Sequence, residues 1–476
     1  MQLLGNGIAI TLMDLRINME IIEKFIEAGQ GQVFKYFEEL SEGEKTNLLA
    51  QAENIDLNEI AQIANLIKNK TQDCEIDYSK LEAPFIIKNE YLGGDVSLWE
   101  KAKELGAEAI MNGQVACFVV AGGQGTRLGF DAPKGTFKAS VLENKSLFEI
   151  FAQKILRASI KYNVSIPWLI MTSELNDAQT RQFFEENKYF GLAEKDVLFF
   201  KQGTLACMSE DGKILLDGKS SVAKSPDGHG GSLKAILKSG ALDELKARGA
   251  KYLSYFQVDN PLVNILDEGF VGFHIMENSQ VSSKMIEKTY ASEKVGHFCI
   301  YEDKLNVIEY SDMPAEIQEL KDENGKLKFL AGSVAIHIFS VDFIDEISKT
   351  GALMFHLAYK KIPYLDENGN KISTSVPNAY KAEKFIFDAL PKAKKSIIIE
   401  GIRREEFSPI KNAEGIDSPA SSKKDQVLKF QFWLKTLGIE ITEDIEISPL
   451  VASNYEDFLD EFSTKTKEEI LKCIKF

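Results

Sequence analysis

The hydrophobic positions of the chain change their spacing near residue 112. Between residues 19 and 69, apolar residues recur close to every 3.6 positions with acidic residues between them, which predicts amphipathic helices. Residues 71–95 contain Pro84, Gly93 and Gly94 without a clean period, so we interpret them as a connection. A further helix is predicted around Trp99–Met111.

From residue 115 onward, short apolar runs alternate with helical segments such as Leu147–Ala158 and Phe183–Phe190. Continuous apolar runs of this length are typical of strands buried on both faces. The pattern therefore predicts an α/β fold with a mixed, mostly parallel central sheet flanked by helices, whose ligands bind beyond the carboxyl ends of the strands. The predicted strands are Val115–Ala121, Ile166–Thr172, Val197–Phe200, Tyr252–Val258, Ser333–Phe339 and Ser396–Glu400.

The last part of the chain has a pattern of its own. It predicts a helix near Asp425–Leu437, an alternating segment at Ile439–Ile447 and a final helix from Tyr455. We therefore expect an N-terminal helical region (1–95), a large catalytic α/β domain (96–405) and a small α+β C-terminal domain (406–476).

Composition narrows the possible partners. The 476 residues carry 56 Lys and Arg against 72 Asp and Glu, a net charge of −16. This acidity argues against nucleic acid and against an anionic membrane as partners, but it permits a phosphate ligand in a small basic pocket. The first 22 residues lack a cationic start, and the five cysteines form no CxxC pair. We therefore expect no signal peptide and a cytoplasmic location.

One loop carries the strongest chemical signal. Ala121–Gly129 reads AGGQGTRLG, follows a predicted strand, and is followed by Pro133-Lys134-Gly135. Glycines allow backbone N–H groups to approach a phosphate closely, and Arg127 and Lys134 add positive charge at the same place. A glycine-rich turn alone is often only a turn; the attached cationic residues favour phosphate binding.

Two better-known phosphate-binding motifs do not fit this loop. Gly123, Gly125 and Gly129 are spaced G-x-G-x-x-x-G rather than G-x-G-x-x-G, which disfavours a dinucleotide-dependent oxidoreductase. No glycine of the loop precedes Lys and then Ser or Thr in the frame that a P-loop requires.

The loop instead resembles the signature of the UTP-dependent sugar-1-phosphate uridylyltransferases, and more specifically of the eukaryotic-type UDP-N-acetylhexosamine pyrophosphorylases. The resemblance spans about residues 95–415 and implies a Rossmann-like, GT-A-like nucleotidyltransferase fold. It implies UTP and a sugar 1-phosphate as substrates, with a UDP-sugar and pyrophosphate as products. The matching segments are IPWLIMTS (166–173), KYFGL (188–192), FFKQG (199–203), PDGHGG (226–231), FQVDNPL (256–262), IEKT (286–289), IEYSD (308–312), PNAYKAEKFIFD (377–388) and REEFSPIKN (404–412).

The implied chemistry needs no general base, because the attacking group is already an anionic phosphate oxygen. Cations and a divalent metal then stabilise the charge on the phosphates. By resemblance, Arg127 and Lys134 face the UTP triphosphate, Lys411 faces the sugar phosphate, and Asp259 holds Mg²⁺ (or Mn²⁺). Asp259 could alternatively only begin the turn at Asn260-Pro261.

The resemblance also assigns the nucleotide contacts. Gly122, Gly123 and Gln202 resemble a clamp on uracil, since a backbone amide and a side-chain amide match the edge of the base. Gln202 could equally cap a loop. The full implied nucleotide set is Ala121, Gly122, Gly123, Gln202, Gly228 and Lys381.

On the sugar side the sequence departs from the hexosamine enzymes. They have Asn where this chain has His229 and Ser333, and a GHG element is found in related glucose-type and UDP-sugar-type enzymes. We expect N-acetylglucosamine 1-phosphate from the overall resemblance, or glucose or galactose 1-phosphate from these two departures. The implied sugar contacts are His229, Asn260, Gly296, Glu309 and Ser333.

Three aromatic residues have two interpretations each. Phe385 and Phe387 could line the sugar pocket or belong to the core, and Tyr310 could pack on the sugar ring or on the sheet. A rival function is a catalytically inactive nucleotide-sugar-binding regulator on the same fold. The presence of Arg127 and Lys134 together with Asp259 favours the active enzyme.

Overall fold

A computed structural model describes residues 12–69, 76–351 and 353–476. Of the N-terminal segment expected to lack a signal peptide, residues 1–11 lie outside the described residues. The described residues form two compact units: those within 1–76, 203–229 and 354–385 form the smaller one, and those within 77–202, 230–353 and 386–476 form the larger one. The predicted boundaries at residues 95 and 405 remain predictions.

The helices begin and end close to the predicted positions in most places. None of the described helices is long and apolar enough to cross a membrane. Their bounds are α1 (Leu12–Glu27), α2 (Glu42–Glu53), α3 (Leu57–Lys68), α4 (Val96–Met111), α5 (Leu147–Tyr162), α6 (Asp177–Glu186), α7 (Ser232–Lys238), α8 (Ala241–Ala247), α9 (Glu268–Met276), α10 (Ala315–Gln318), α11 (Val341–Thr350), α12 (Arg403–Glu406), α13 (Pro419–Thr436), α14 (Tyr455–Phe462) and α15 (Lys467–Lys472).

All six predicted strands are present, and others accompany them. The strands are β1 (Val115–Val120), β2 (Trp168–Thr172), β3 (Val197–Lys201), β4 (Thr204–Ala206), β5 (Leu216–Gly218), β6 (Ser221–Val222), β7 (Lys224–Pro226), β8 (Tyr252–Gln257), β9 (Val281–Glu287), β10 (Gly296–Tyr301), β11 (Lys304–Ile308), β12 (Ala331–Ser340), β13 (His356–Lys360), β14 (Tyr364–Leu365), β15 (Lys371–Ile372), β16 (Ala379–Glu383) and β17 (Ser396–Glu400).

The larger unit is built on one mixed sheet, which has nine strands within the described residues. Strands β3, β2, β1 and β8 lie side by side and are parallel. In this run Val120 pairs with Met171 on one side and with Gln257 on the other, so the carboxyl ends of the three strands meet at one edge. The prediction of a mixed α/β fold with helices flanking the sheet is confirmed.

The other half of the sheet is mainly antiparallel. Strand β12 pairs antiparallel with β8, β9 and β10, β11 pairs with β10, and β17 joins β9 in parallel. The register of β12 shifts between Ser333 and His337, which lets one long strand pair with β10 near its start and with β8 near its end.

Helix α5 shows how the local sequence packs a flanking helix on this sheet. The Ser146 hydroxyl accepts a hydrogen bond from the Glu149 N–H and caps the first turn. Phe148, Phe151 and Ile155, at helical spacing, are fully buried in the same apolar cluster as strands β1 and β2. Burial of side chains of this size contributes ~1.5–3 kcal/mol each to folding.

The structure corrects three helix and strand predictions. The helix expected to reach residue 190 ends at Glu186, because Lys188, Tyr189 and Phe190 all have positive φ of 51–53°. The alternating segment 439–447 is irregular, and its buried isoleucines pack in the C-terminal core. An isolated β-bridge pairs the backbone of Glu446 with that of Lys475. The predicted final helix is in fact two helices, α14 and α15, and Thr466 is the N-cap of the second, where it forms a capping box.

The smaller unit confirms the predicted helices between residues 19 and 69 but adds strands to them. Helices α1–α3 share one apolar core with residues from the paired strands β4–β7, β5–β6 and β13–β16. Fully or nearly fully buried members of this core include Phe25, Val33, Leu48, Ile60 and Met208.

Candidate active site

The glycine-rich loop leaves β1 at the carboxyl edge of the sheet and folds back on itself. The Gly125 N–H donates to the carbonyl of Ala132 at 3.0 Å, and the Lys134 N–H donates to the carbonyl of Gly123 at 3.1 Å. This return brings Lys134 beside the end of β1, as the sequence predicted for a phosphate-binding loop. Arg127 lies on a short 3₁₀ turn within the loop and is exposed.

A buried asparagine that the sequence analysis missed fixes this loop. The Asn176 amide donates to the carbonyls of Ala121 at 2.9 Å and Gly123 at 3.4 Å, while its oxygen accepts from the Ser173 N–H at 2.8 Å. Its side chain is fully buried. A polar residue shortly after the end of the predicted strand at 172 was the available signal.

Gly122 and Gln202, which the resemblance assigns to uracil, lie against each other. A Cβ on Gly122 would lie 2.7 Å from Oε1 of Gln202, so a larger residue here would displace the end of the Gln202 side chain. The backbone of Gln202 is held by its N–H, which donates to the carbonyl of Thr172 at 2.7 Å. Gly123 leaves open space at its own Cβ position.

Lys134 and Asp259 form the charged centre of the site. The Val258 N–H donates to the carbonyl of Val120 at 3.2 Å, which aligns the end of β8 with the end of β1. Asp259 follows directly, and its Oδ2 lies 3.5 Å from Nζ of Lys134, with 18% and 15% of the two side chains exposed. The structure thus brings together the predicted triphosphate lysine and the predicted metal carboxylate.

Lys411 reaches the same region from the segment after α12. The Ile410 N–H donates to the carbonyl of Asp259 at 2.8 Å. The Lys411 N–H donates to the carbonyl of Asp417 at 2.6 Å, and its Nζ lies 4.0 Å from Oδ2 of the same residue. Burial, with a smaller contribution from the charge of Asp259, raises the pKa of Asp417 despite the nearby Lys411. Asp417 was not predicted.

Asn260, predicted to contact the sugar, is engaged with the protein. Its side chain is buried, its Nδ2 donates to the carbonyl of Glu406 at 2.6 Å, and its Oδ1 accepts from the Ser408 N–H at 3.1 Å. The N–H of Leu262 also donates to Oδ1, at 3.3 Å.

Three predicted sugar-side residues lie together on the antiparallel half of the sheet. Gly296 pairs with Ser333 across β10 and β12. A Cβ on Gly296 would lie 3.5 Å from Cβ of Ser333, 3.8 Å from Oε1 of Glu309 and only 2.6 Å from Val307. Carboxylate and hydroxyl groups over a glycine form a surface that can accept and donate hydrogen bonds to sugar hydroxyls.

The remaining predicted residues belong to the smaller unit. Gly228 has φ +80°, and a Cβ there would lie 2.4 Å from the carbonyl oxygen of Lys384. The His229 ring stacks on Phe385 at 5.4 Å between centroids and 24° between planes. Lys381 lies on β16, opposite Ala358 of β13.

His229 is a neutral imidazole near pH 7. Burial, with a smaller contribution from His356, lowers the pKa of His229 to about 4. The His356 ring also packs against the Phe385 ring, with 4.3 Å between the two ring centroids. Phe385 is therefore an aromatic partner of two histidines, whereas Phe387 is buried. A neutral imidazole here is a hydrogen-bond donor rather than a charge.

Metal binding at this site would depend on Asp259. Among the described residues there is no group of three or more His, Cys, Asp or Glu side chains that could hold a metal by themselves. Mg²⁺ commonly takes one or two protein carboxylates and completes its shell with phosphate oxygens and water. The residues present therefore fit a metal held jointly with a polyphosphate, and they do not fit an all-protein metal cage.

Comparison with known proteins places the chain in a family. The family model described as UTP–glucose-1-phosphate uridylyltransferase matches residues 57–417. A probable UDP-N-acetylglucosamine pyrophosphorylase of Dictyostelium discoideum is 36% identical, over 95% of this chain and 97% of the relative. The UDP-N-acetylglucosamine pyrophosphorylase of Saccharomyces cerevisiae is 35% identical, over 88% of this chain and 92% of the relative.

A solved structure agrees with these relatives. The uridine diphosphate N-acetylglucosamine pyrophosphorylase of Trypanosoma brucei, solved in complex with an inhibitor, superposes with a TM-score of 0.80 at 28% identity, covering 94% of this chain and 95% of that chain. The chain therefore belongs to the UTP–glucose-1-phosphate uridylyltransferase family and is a nucleotidyltransferase that makes a UDP-sugar and pyrophosphate from UTP and a sugar 1-phosphate.

Proposed function

We propose that this enzyme uses N-acetylglucosamine 1-phosphate as its sugar substrate and acts with Mg²⁺. A phosphate oxygen of the sugar phosphate attacks the α-phosphorus of UTP, the bond from that phosphorus to the bridging oxygen breaks, and pyrophosphate leaves. The observation that carries the site assignment is the pair of Lys134 and Asp259 at the adjacent carboxyl ends of β1 and β8.

Charge stabilisation accounts for the catalytic part of the proposal. Lys134 lies close to the backbone of Gly123, where a triphosphate can meet both an ammonium group and backbone N–H groups. Arg127 on the same loop offers a planar guanidinium for phosphate oxygens. Such preorganised donors lower the barrier because negative charge develops on the leaving pyrophosphate.

The metal part rests on Asp259. Its carboxylate would hold Mg²⁺ (or Mn²⁺) together with phosphate oxygens, and the ion would neutralise charge on the phosphates. Lys134, 3.5 Å away, would then bind a phosphate oxygen in place of its contact with Asp259. Asp259 would thus hold the cation, and Lys134 would bind the phosphate anion directly.

The choice of N-acetylglucosamine rests on the relatives. The curated relatives that match almost the whole chain are named for UDP-N-acetylglucosamine. Ser333, which replaces an asparagine of the resembling family, still offers both a donor and an acceptor to the sugar. Glucose 1-phosphate, favoured by the sequence departures at His229 and Ser333, is the competing substrate.

Pyrophosphate release measured with UTP and a panel of sugar 1-phosphates tests the proposal. N-acetylglucosamine, N-acetylgalactosamine, glucose and galactose 1-phosphate are compared by kcat/KM, with the UDP-sugar identified by mass spectrometry. We expect N-acetylglucosamine 1-phosphate to be preferred by tenfold or more, which corresponds to ~1.4 kcal/mol. A preference for glucose 1-phosphate would refute the sugar assignment, and UTP binding without turnover of any sugar would support the inactive regulator.

A further inference from the structure

The segment that carries Lys411 is bonded directly to the turn that carries Asp259. Three hydrogen bonds connect residues 259–260 to residues 406–410. Nδ2 of Asn260 donates to the carbonyl of Glu406 at 2.6 Å, the Ser408 N–H donates to Oδ1 of Asn260 at 3.1 Å, and the Ile410 N–H donates to the carbonyl of Asp259 at 2.8 Å. Two of the three bonds use the side chain of Asn260.

Each of the two segments that these bonds join is also held by hydrogen bonds to a neighbouring helix. The Ser408 hydroxyl donates to Oδ2 of Asp425 on α13 at 2.6 Å, and the Ser422 hydroxyl donates to the Ser408 carbonyl at 2.9 Å. On the other side, the buried Lys154 of α5 donates to the carbonyls of Pro261 at 2.8 Å and Val263 at 2.6 Å. Asn260 therefore joins two segments that are themselves fixed.

The same bonds limit what else Asn260 can do. It is 4% exposed, its oxygen accepts from the N–H groups of Ser408 and Leu262, and its amide donates to Glu406. A carboxamide offers two acceptor positions and two donor hydrogens. Both acceptor positions and one hydrogen are thus used within the protein, and a sugar hydroxyl would compete with these bonds.

We propose that Asn260 is a positioning residue, which sets the place of Lys411 relative to the pair of Lys134 and Asp259, rather than a residue that contacts the sugar. This inference rests on the proposed role of Lys411 as the cation for the sugar phosphate. Asn260 then couples the two halves of the reaction: the carboxylate next to it serves the UTP side, and the lysine at the end of the bridged segment serves the sugar phosphate. The contribution of Asn260 is the same for every sugar 1-phosphate, because the lysine that it positions binds the phosphate and not the sugar ring.

A double-mutant cycle between Asn260→Ala and Lys411→Ala separates the two roles. In the wild-type background, Asn260→Ala should raise KM for the sugar 1-phosphate and lower kcat, together about tenfold in kcat/KM, because the two buried hydrogen bonds to the Lys411 segment are lost. KM for UTP should change less than twofold. In the Lys411→Ala background the same substitution should change kcat/KM less than twofold, since the lysine that it positions is gone. Equal losses in both backgrounds would overturn the proposal.

A panel of sugars gives the second test. Asn260→Ala should reduce kcat/KM by the same factor for N-acetylglucosamine 1-phosphate and glucose 1-phosphate. A loss confined to one sugar would mean a direct sugar contact and would overturn the positioning role. The matched control is Asn54→Ala, which removes one exposed capping bond to Ala50 in the smaller unit and should leave all kinetic constants unchanged.

Two further measurements distinguish a failure of the positioning role from a misfolded variant and from a failure of the proposed function. Asn260→Asp keeps an oxygen for the Ser408 N–H and loses the donor to Glu406, so it should show the same pattern of KM and kcat if Asn260→Ala does not fold. Wild-type turnover tests the proposed function by itself. If the wild type turns over no sugar 1-phosphate, the cycle is measured as the Kd of N-acetylglucosamine 1-phosphate for the UTP-bound protein. Non-additive losses would still support positioning, and additive losses would refute it.

Discussion

Nζ of Lys134 and Oδ2 of Asp259 lie 3.5 Å apart at the ends of two adjacent parallel strands, and more than four-fifths of each side chain is buried. The pair places one cation and one anion within a few ångströms, in surroundings that screen charge less than water does. The polyphosphate of UTP and a divalent cation carry the opposite charges. We therefore propose that these two residues would hold a metal–polyphosphate complex at both of its charged parts.

Replacing Lys134 by alanine should lower kcat about 10²–10³-fold, because one fixed donor to the charge of the transition state is lost. Steady-state pyrophosphate release measures the effect. The control is Lys138→Ala, since Lys138 is exposed and follows Lys134 by four residues along the chain. A rate for Lys134→Ala within threefold of the wild type would refute its assigned role.

Adding a methyl group at Gly122 should weaken UTP binding by displacing Gln202. The new Cβ would lie 2.7 Å from Oε1 of Gln202, which is the mobile end of a flexible side chain. Gly122→Ala should therefore raise KM for UTP with little loss of thermal stability. In a Gln202→Ala background the clash is absent, so Gly122→Ala should have no further effect on KM for UTP. Equal effects in both backgrounds would contradict this contact.

The predictable strands share one property. Strand β1 reads VACFVV and is buried along almost its whole length, so its apolar run predicts a buried strand. Strand β9 reads VSSKMIE and is equally buried, yet its polar run of Ser282, Ser283 and Lys284 does not predict a buried strand. These polar groups are satisfied inside the fold by His274, His337 and Asp267, respectively. Hydropathy alone cannot find such a strand, because its partners come from distant parts of the sequence.

The site was partly predictable for a similar reason. The family resemblance, together with the rule that ligands bind beyond the carboxyl ends of parallel strands, led us to expect Lys134 and Asp259 together. Asn176 escaped because its role depends on the carbonyls of Ala121 and Gly123, which become partners only in the folded loop. The motif around Asn260 suggested a sugar contact, whereas its bonds to Glu406 and Ser408 could not be read from sequence.

Buried His274 should make the protein less stable in mild acid. Its ring lies between the hydroxyls of Ser282 at 2.8 Å and Ser340 at 2.9 Å. Burial lowers the pKa of His274 from 6.5 to about 3. The unfolded chain therefore binds a proton more readily than the folded one below pH 6.5, and stability is lost as the pH falls from there toward 3.

The expected loss from His274 between pH 7 and pH 5 is about 2 kcal/mol. Urea unfolding at both pH values measures it in the wild type and in His274→Gln, which cannot take up this proton. The difference in unfolding free energy between the two pH values should be smaller by that amount in His274→Gln. An identical pH dependence in both proteins would show that His274 does not titrate in this way.

Removing the charge of Asp259 while keeping its shape should weaken Mg²⁺ binding at the site specifically. Asp259→Asn lacks the anionic oxygen that we propose for Mg²⁺, so the Mg²⁺ concentration giving half-maximal rate should rise about tenfold or more, and kcat should fall. Excess EDTA should abolish turnover of the wild type, and Mn²⁺ should restore it. Asp131→Asn, at an exposed position of the same loop region, should leave the Mg²⁺ titration unchanged. A Mg²⁺ titration of Asp259→Asn that coincides with that of the wild type would remove Asp259 from the metal site and leave it only as the partner of Lys134.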